Sequence, residues 1–147
     1  MKLVIQRVSS SSCTVDNKII SSIDKGYLIL IGFKSDDNNL LFDKLVKKII
    51  NLRIFEDDEG KMNRSILDVG GKILLISQFT LYGDVKHGNR PSFTNAMKFD
   101  EANKLYEELF QKLNEKIETK RGLFGADMKI NLLNDGPVTI IIDGNDL

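Results

Sequence analysis

The chain has 147 residues, with 21 basic and 21 acidic side chains and no formal net charge. At that length one domain, residues 1–147, with its own core is the natural reading. A content of 41% hydrophobic and 29% charged residues argues against disorder. No run of about 18 apolar residues is present, so the sequence offers no membrane-spanning helix. The first seven residues, MKLVIQR, turn polar too soon for a signal peptide. The single Cys13 excludes an internal disulfide and a multi-cysteine metal site, and fits a reducing cytoplasm. Balanced charge excludes a broad electrostatic grip on nucleic acid.

Residues 3–8 read as a first strand, rich in β-branched side chains and ended by the serines at 9–12. Residues 13–16 and 18–23 read as a hairpin turning at Asp16-Asn17. Residues 27–33, YLILIGF, have the pattern of a strand buried on both faces. Residues 36–39 offer several N-cap side chains. Beyond them Leu41, Leu45, Ile49 and Leu52 recur at helical spacing, and Phe42, Val46 and Ile50 widen the stripe. Lys44, Lys47 and Lys48 fall on the opposite side. An acidic turn follows at 56–60. Residues 72–81, KILLISQFTL, read as a strand opened by Gly70-Gly71, with a long loop at 83–95. Asp100 is predicted to cap a second helix. Its buried face is Ala102, Leu105, Tyr106, Leu109, Phe110, Leu113 and Ile117. The chain ends in two predicted strands, 128–133 and 138–142, with a turn at 134–137. The sum is an α+β fold: a mixed or antiparallel sheet with two main helices on one side.

Familiar nucleophile kits are poorly represented. Ser-His-Asp and Cys-His arrangements need a histidine, and His87, the only one, reads as a solvated loop residue. Cys13 has no basic neighbour to lower its pKa and reads as a small buried residue. Metal-ligand and phosphate-cradle motifs are absent from the sequence, so no metal and no cofactor are predicted. Two segments remain. Ser77-Gln78-Phe79-Thr80-Leu81 closes an apolar strand, with Ser77, Phe79 and Leu81 predicted on one face and Gln78 and Thr80 on the other. Asn134-Asp135-Gly136-Pro137-Val138-Thr139 is a turn entering a strand. Taken singly, each is an ordinary strand end or hairpin connection.

Together they resemble the D-aminoacyl-tRNA deacylase family. That family's SQxxL-type motif stands here as Ser77-Gln78-Phe79-Thr80-Leu81, and its GPxT-type motif as Gly136-Pro137-Val138-Thr139. Further stretches match in register: residues 5–8, 51–55, 60–63, 88–93 and 124–128. Arg64 departs from the pattern, where an apolar residue is expected. The approach to Phe124, residues 119–123, is a residue or two longer than usual.

The resemblance implies the family's fold and a homodimer, in which Gly136-Pro137 is cis and reaches into the active site of the partner subunit. It implies hydrolysis of the ester joining a D-amino acid to the 3′ end of tRNA, and of glycyl-tRNA. The L hand would be excluded because the Gly-Pro backbone fills the space its side chain needs. Ser77, Gln78, Phe79 and Thr80 become the catalytic segment, with the oxyanion on a backbone N–H at Phe79. Arg7 becomes the support of Gly136-Pro137. Phe124 and Met128 become the adenosine-binding pair; without the resemblance they read equally well as core. Thr80 is a candidate nucleophile, but no base is evident beside it. Water or the tRNA 2′-hydroxyl is the preferred agent. The zero net charge then calls for local phosphate contacts only. Lys86, His87 and Arg90 form one basic cluster, and Lys116, Lys120 and Arg121 another. Two other functions fit the same residues: a non-catalytic nucleic-acid-binding module, and a hydrolase of small esters that does not bind RNA.

Overall fold

A computed structural model describes all residues, 1–147. The longest ladder joins the two ends of the chain. β1 (Lys2–Val15) runs antiparallel to β8 (Lys129–Asp143) over nearly its whole length. The other edge of β1 is divided. Its first half pairs antiparallel with β3 (Gly26–Gly32), and its second half with β2 (Lys18–Ile23). β6 (Lys72–Ser77) then lies parallel to β3, and β7 (Thr119–Arg121) parallel to β6. A small hairpin, β4 (Phe55–Glu56) with β5 (Met62–Arg64), stands apart. The helices α1 (Phe42–Asn51) and α2 (Phe99–Asn114) complete the α+β arrangement read from the sequence. No helix is long and apolar enough to cross a membrane.

Alternation within the central strands explains their unbroken apolar runs. Tyr27, Ile29 and Ile31 of β3, with Ile73 and Leu75 of β6, join Phe42, Leu45 and Ile49 of α1 and Tyr106, Leu109 and Leu113 of α2 in one core. Leu28, Leu74 and Ile76 point to the other face. There they meet Val8, Cys13 and Ile23, with Met128, Ile130 and Leu132 along the margin. Both faces of β3 and β6 are therefore dry, and neither strand has a polar side.

Several elements depart from the predicted pattern. The serines at 9–12 do not end a strand. β1 continues through them because β8 supplies ladder partners at Ser10, Ser11 and Ser12. The hairpin turn is where predicted: Asp16 and Asn17 both have positive φ, at 48° and 61°. Neither helix is capped as predicted. α1 begins after Leu41 without a side-chain cap. Asp37 instead accepts from the Lys34 N–H at 2.8 Å. Asp100 lies inside the first turn of α2, which Lys98 precedes. β6 stops at Ser77, and a 3-10 turn, Phe79–Tyr82, replaces the predicted strand end. Residues 129–143 form one interrupted strand rather than two joined by a hairpin.

α2 is fixed to the sheet by a polar contact inside the apolar core. The buried Tyr106 hydroxyl donates to the Leu75 carbonyl at 2.8 Å, which also accepts the Gly122 N–H at 3.0 Å. Tyr106→Phe removes one of these two donors and leaves the carbonyl partnered. The expected loss is about 1 kcal/mol of stability, or a Tm lower by ~2–4 °C, read by thermal unfolding.

Candidate active site

The interruption in β8 is opposite Arg7. Thr139 pairs with Gln6 and Asn134 with Val8, so residues 135–138 bulge out against Arg7 alone. The Gly136–Pro137 peptide within the bulge is cis, and Gly136 has φ +123°. The Arg7 side chain is buried beneath it. Its Nε donates to the Asp135 carbonyl at 3.0 Å, and its Nη1 donates to the Ile54 carbonyl at 2.8 Å. The carboxylates of Glu56 and Asp135 each lie 3.6 Å from the guanidinium. The Phe55 ring, stacked on Tyr27 at 5.4 Å, lines the same place. Asn134 closes the bulge from its own strand. Its Oδ1 accepts the Val138 N–H at 3.2 Å, and its Nδ2 donates to the Thr139 hydroxyl at 3.3 Å. A methyl group on Gly136 would stand 2.8 Å from Val138 Cγ2 and 2.9 Å from Arg7 Nη2.

The second segment forms one end of a cavity of about 450 Å³. Ser77 closes β6, Gln78 leaves the extended region, and the 3-10 turn begins at Phe79. Ser77 and Gln78 are half-buried, whereas Phe79 and Thr80 are exposed. At a helical start the first N–H groups have no intrahelical acceptor, and the Phe79 and Thr80 amides occupy that place. The Gln78 N–H is bound to the Ile31 carbonyl at 2.7 Å, which fixes the approach to the turn. The Gln78 side chain donates to the Thr80 hydroxyl, the one side-chain hydrogen bond at that residue. No histidine or carboxylate is bonded to Thr80. The turn also overturns the strand-face assignment of residues 77–81, because the alternation of an extended strand ends at Gln78.

Phe124 and Met128 line the cavity, as do Ser77, Gln78 and Phe79. Two further aromatic residues, not among the predicted site residues, pack against them. Phe99 meets Phe124 edge-on at 5.0 Å, and Phe93 meets Phe79 edge-on at 5.1 Å. Tyr106 backs Phe124 from the core at 5.5 Å. Gly125, at φ +76°, passes so close to Phe99 that a side chain there would overlap the ring. The glycine after Phe124 is the one sequence signal for this packing. The approach to Phe124 takes its path from β7 and from the Gly122 N–H, which is bound to Leu75.

Arg7, Gly136 and Pro137 do not line this cavity. Arg7 pairs with Tyr27, four residues along β3 from the Ile31 that pairs with Ser77. β1 and β3 also separate β8 from β6. Strand spacing and rise put the two motifs of one chain roughly 20 Å apart. His87 is exposed in its loop, and Cys13 is buried, its thiol pKa raised by that burial. Arg64, the departure from the pattern, pairs with Asp58 at 2.8 Å on the small hairpin. No group of three or more potential metal-binding side chains is present.

A mixed sheet bearing two helices in this order is the fold of the D-aminoacyl-tRNA deacylases, hydrolases of an aminoacyl ester. A family model described as D-Tyr-tRNA(Tyr) deacylase matches residues 4–143. The chain belongs to that family. A solved structure described as c-Myc DNA unwinding element binding protein is similar at 40% identity and TM-score 0.91, over 98% of this chain and 99% of that one. Another, described as a probable eukaryotic D-amino acid tRNA deacylase, is similar at 18% identity and TM-score 0.82, over 96% and 97%. At that identity the second likeness concerns the fold.

Arg7→Lys keeps the charge but loses the planar fork that serves two carbonyls at once. The expected cost is about 1.5–3 kcal/mol, the range of a charge-assisted hydrogen bond. Urea unfolding of the two proteins measures it.

Proposed function

We propose that the chain cleaves the ester between a D-amino acid, or glycine, and the 3′-terminal ribose of tRNA, and spares the L hand. The observation that carries this reading is the start of the turn at Phe79, a residue that lines an aromatic cavity and whose N–H has no acceptor within the turn. A volume of about 450 Å³ falls within the ~300–1,000 Å³ typical of small-molecule sites. The terminal adenine would lie against Phe124 and Met128, with the ester at Phe79. Water adds to the ester carbonyl, and the resulting oxyanion takes the Phe79 N–H. The tetrahedral intermediate then expels the ribose 3′-oxygen, which leaves with a proton as the tRNA hydroxyl. The amino acid leaves as the free acid. The 2′-hydroxyl of the same ribose is the nearest group able to steer the water and relay the proton. Thr80 has no base to activate it, so its hydroxyl serves Gln78 rather than the ester.

Chirality enters through Gly136 and Pro137. A substrate held by its amino group and ester presents the side chain of one hand to the wall and of the other to solvent. Backbone suits this task because it cannot rotate aside, and Arg7 and Asn134 fix it from two sides. Glycine has no side chain to exclude and passes. The separation of the motifs within one chain favours a homodimer, in which each Gly-Pro bulge serves the partner's cavity. β8 pairs with β1 alone, which leaves one edge of the strand open, and Leu133 and Ile141 are exposed along it. A long edge of this kind invites a second chain.

The competing reading is a nucleic-acid-binding module without catalysis, which takes its support from the DNA-binding description of the 40%-identical structure. Ester loss from matched D-aminoacyl-, L-aminoacyl- and glycyl-tRNA separates the two. The D and glycyl esters should be lost quickly and the L ester at its uncatalysed rate. Equal rates for both hands would refute the chiral wall, and no hydrolysis at all would favour the binding module. Thr80→Ala should keep kcat within about tenfold, whereas loss of an oxyanion donor costs roughly 10²–10³. Gly136→Ala forces the wall against Arg7 and Val138 and should narrow the D-to-L rate ratio at least tenfold, measured on the same substrates.

A further inference from the structure

One of the two basic clusters is set at the rim of the cavity. The loop bearing Lys86 and Arg90 leaves the cavity rim at the Phe79–Tyr82 turn. Asp84 and Ser92 then bind each other through two backbone hydrogen bonds of 2.7 and 2.9 Å. The returning strand sets Phe93 against Phe79 and arrives at Met97, which lines the cavity. Residues 85–91 are therefore a tip held at both ends on the rim of the site. Every one of them is exposed, and Gly88, at φ +74°, turns the chain at its end. With about three residues on each side, the tip extends roughly 10 Å beyond its last rung.

Ion pairing divides the two clusters: in the second, only Lys116 is left without an ion pair. Lys120 pairs with Glu118 at 3.5 Å. Arg121 pairs with Glu107 and lies over the Phe110 ring at 4.5 Å. Lys86 and Arg90 make no ion pair. The nearest acid in sequence, Asp84, turns its Oδ1 to the Lys86 backbone N–H at 2.9 Å. Two cations without an internal partner thus project from the rim of the cavity. Such cations hold mobile counterions, and a phosphate chain that displaces them gains their entropy.

We propose that the tip at residues 85–91 grips the single-stranded 3′ end of tRNA through Lys86 and Arg90, at phosphates just upstream of the nucleotide in the cavity. The direction of the strand rests on the deacylase reading of the cavity; the grip itself can be tested without it. A strand end fits the geometry better than a duplex does, because the two charges sit on one narrow projection at the cavity rim.

Binding of uncharged tRNA should be measured against salt concentration for the native protein and for Lys86→Ala/Arg90→Ala. Each single-strand phosphate contact contributes about −0.7 to the slope of log affinity on log salt, so the slope should flatten by about 1.4. Lys44→Ala/Lys47→Ala removes the same charge from the exposed face of α1 and should leave the slope as it is. With D-aminoacyl-tRNA the tip variant should raise KM and keep kcat. An unchanged slope in the tip variant, or an equal change in the α1 variant, would overturn the proposal. The same flattening with duplex DNA would also overturn it, as the mark of a general polyanion grip. A native protein that cleaves no D-aminoacyl-tRNA, but shows the slope difference, would remove the deacylase reading and leave the tip in place.

Discussion

Arg7 is the one charged side chain the fold buries, and a buried guanidinium persists only when its donors are matched. Its partners come from two distant parts of the chain. The Ile54 carbonyl belongs to the segment leading from α1 into the small hairpin, and the Asp135 carbonyl to the bulge of β8. Satisfying one side chain therefore fixes the exit of the first helix and the shape of the last strand together. The Tyr27–Phe55 stack supplies a flat apolar wall for the guanidinium, and the Tyr27 hydroxyl, donating to the Leu52 carbonyl at 3.2 Å, ties that wall to the same segment. An extended ladder would have hidden residues 135–138 among ordinary pairs. The buried charge opposite them gives the interruption a defined form.

Apolar periodicity makes the large elements legible in the sequence alone. Leu45 and Ile49 of α1, and Tyr106, Leu109 and Leu113 of α2, are buried as their spacing requires. Unbroken apolar runs identify β3 and β6, because both faces of those strands are covered. Legibility fails wherever a distant partner decides the local outcome. The serines at 9–12 have the composition of a break, yet the β8 ladder holds them extended. The predicted strand through Leu81 has the right residues, but its neighbour β3 ends at Gly32, and a side chain on that glycine would meet the Gln78 carbonyl at 2.7 Å. With no ladder left to follow, the backbone turns.

The site shows the same division. Ser77–Thr80 and Gly136-Pro137 are legible only by resemblance, since neither spacing nor composition distinguishes them from a strand end and a turn. Phe93 and Asn134 stand in stretches that the resemblance marks, but their roles, like the presence of Phe99, are not legible. The two rings act through residues 14 and 25 positions away in sequence, Phe79 and Phe124, and Asn134 acts through backbone that exists only once β8 has bulged. The sequence marks the place of each motif but not that a single chain keeps the two apart.

Zero net charge suggests a surface indifferent to RNA, but a sum says nothing about pairing. Glu118 serves both Lys72 and Lys120, and Glu107, Asp58 and Asp127 each take a basic partner. These pairs cancel at short range and leave little field a few ångströms away. An unpaired cation on a projecting loop is not cancelled in this way. A protein that is neutral overall can therefore present a strong local potential, provided that its acids are used up elsewhere. That arrangement suits an enzyme that must find one strand end and release the rest of a large polyanion. A uniformly basic surface would hold the tRNA body as firmly as its terminus, and release would then limit turnover.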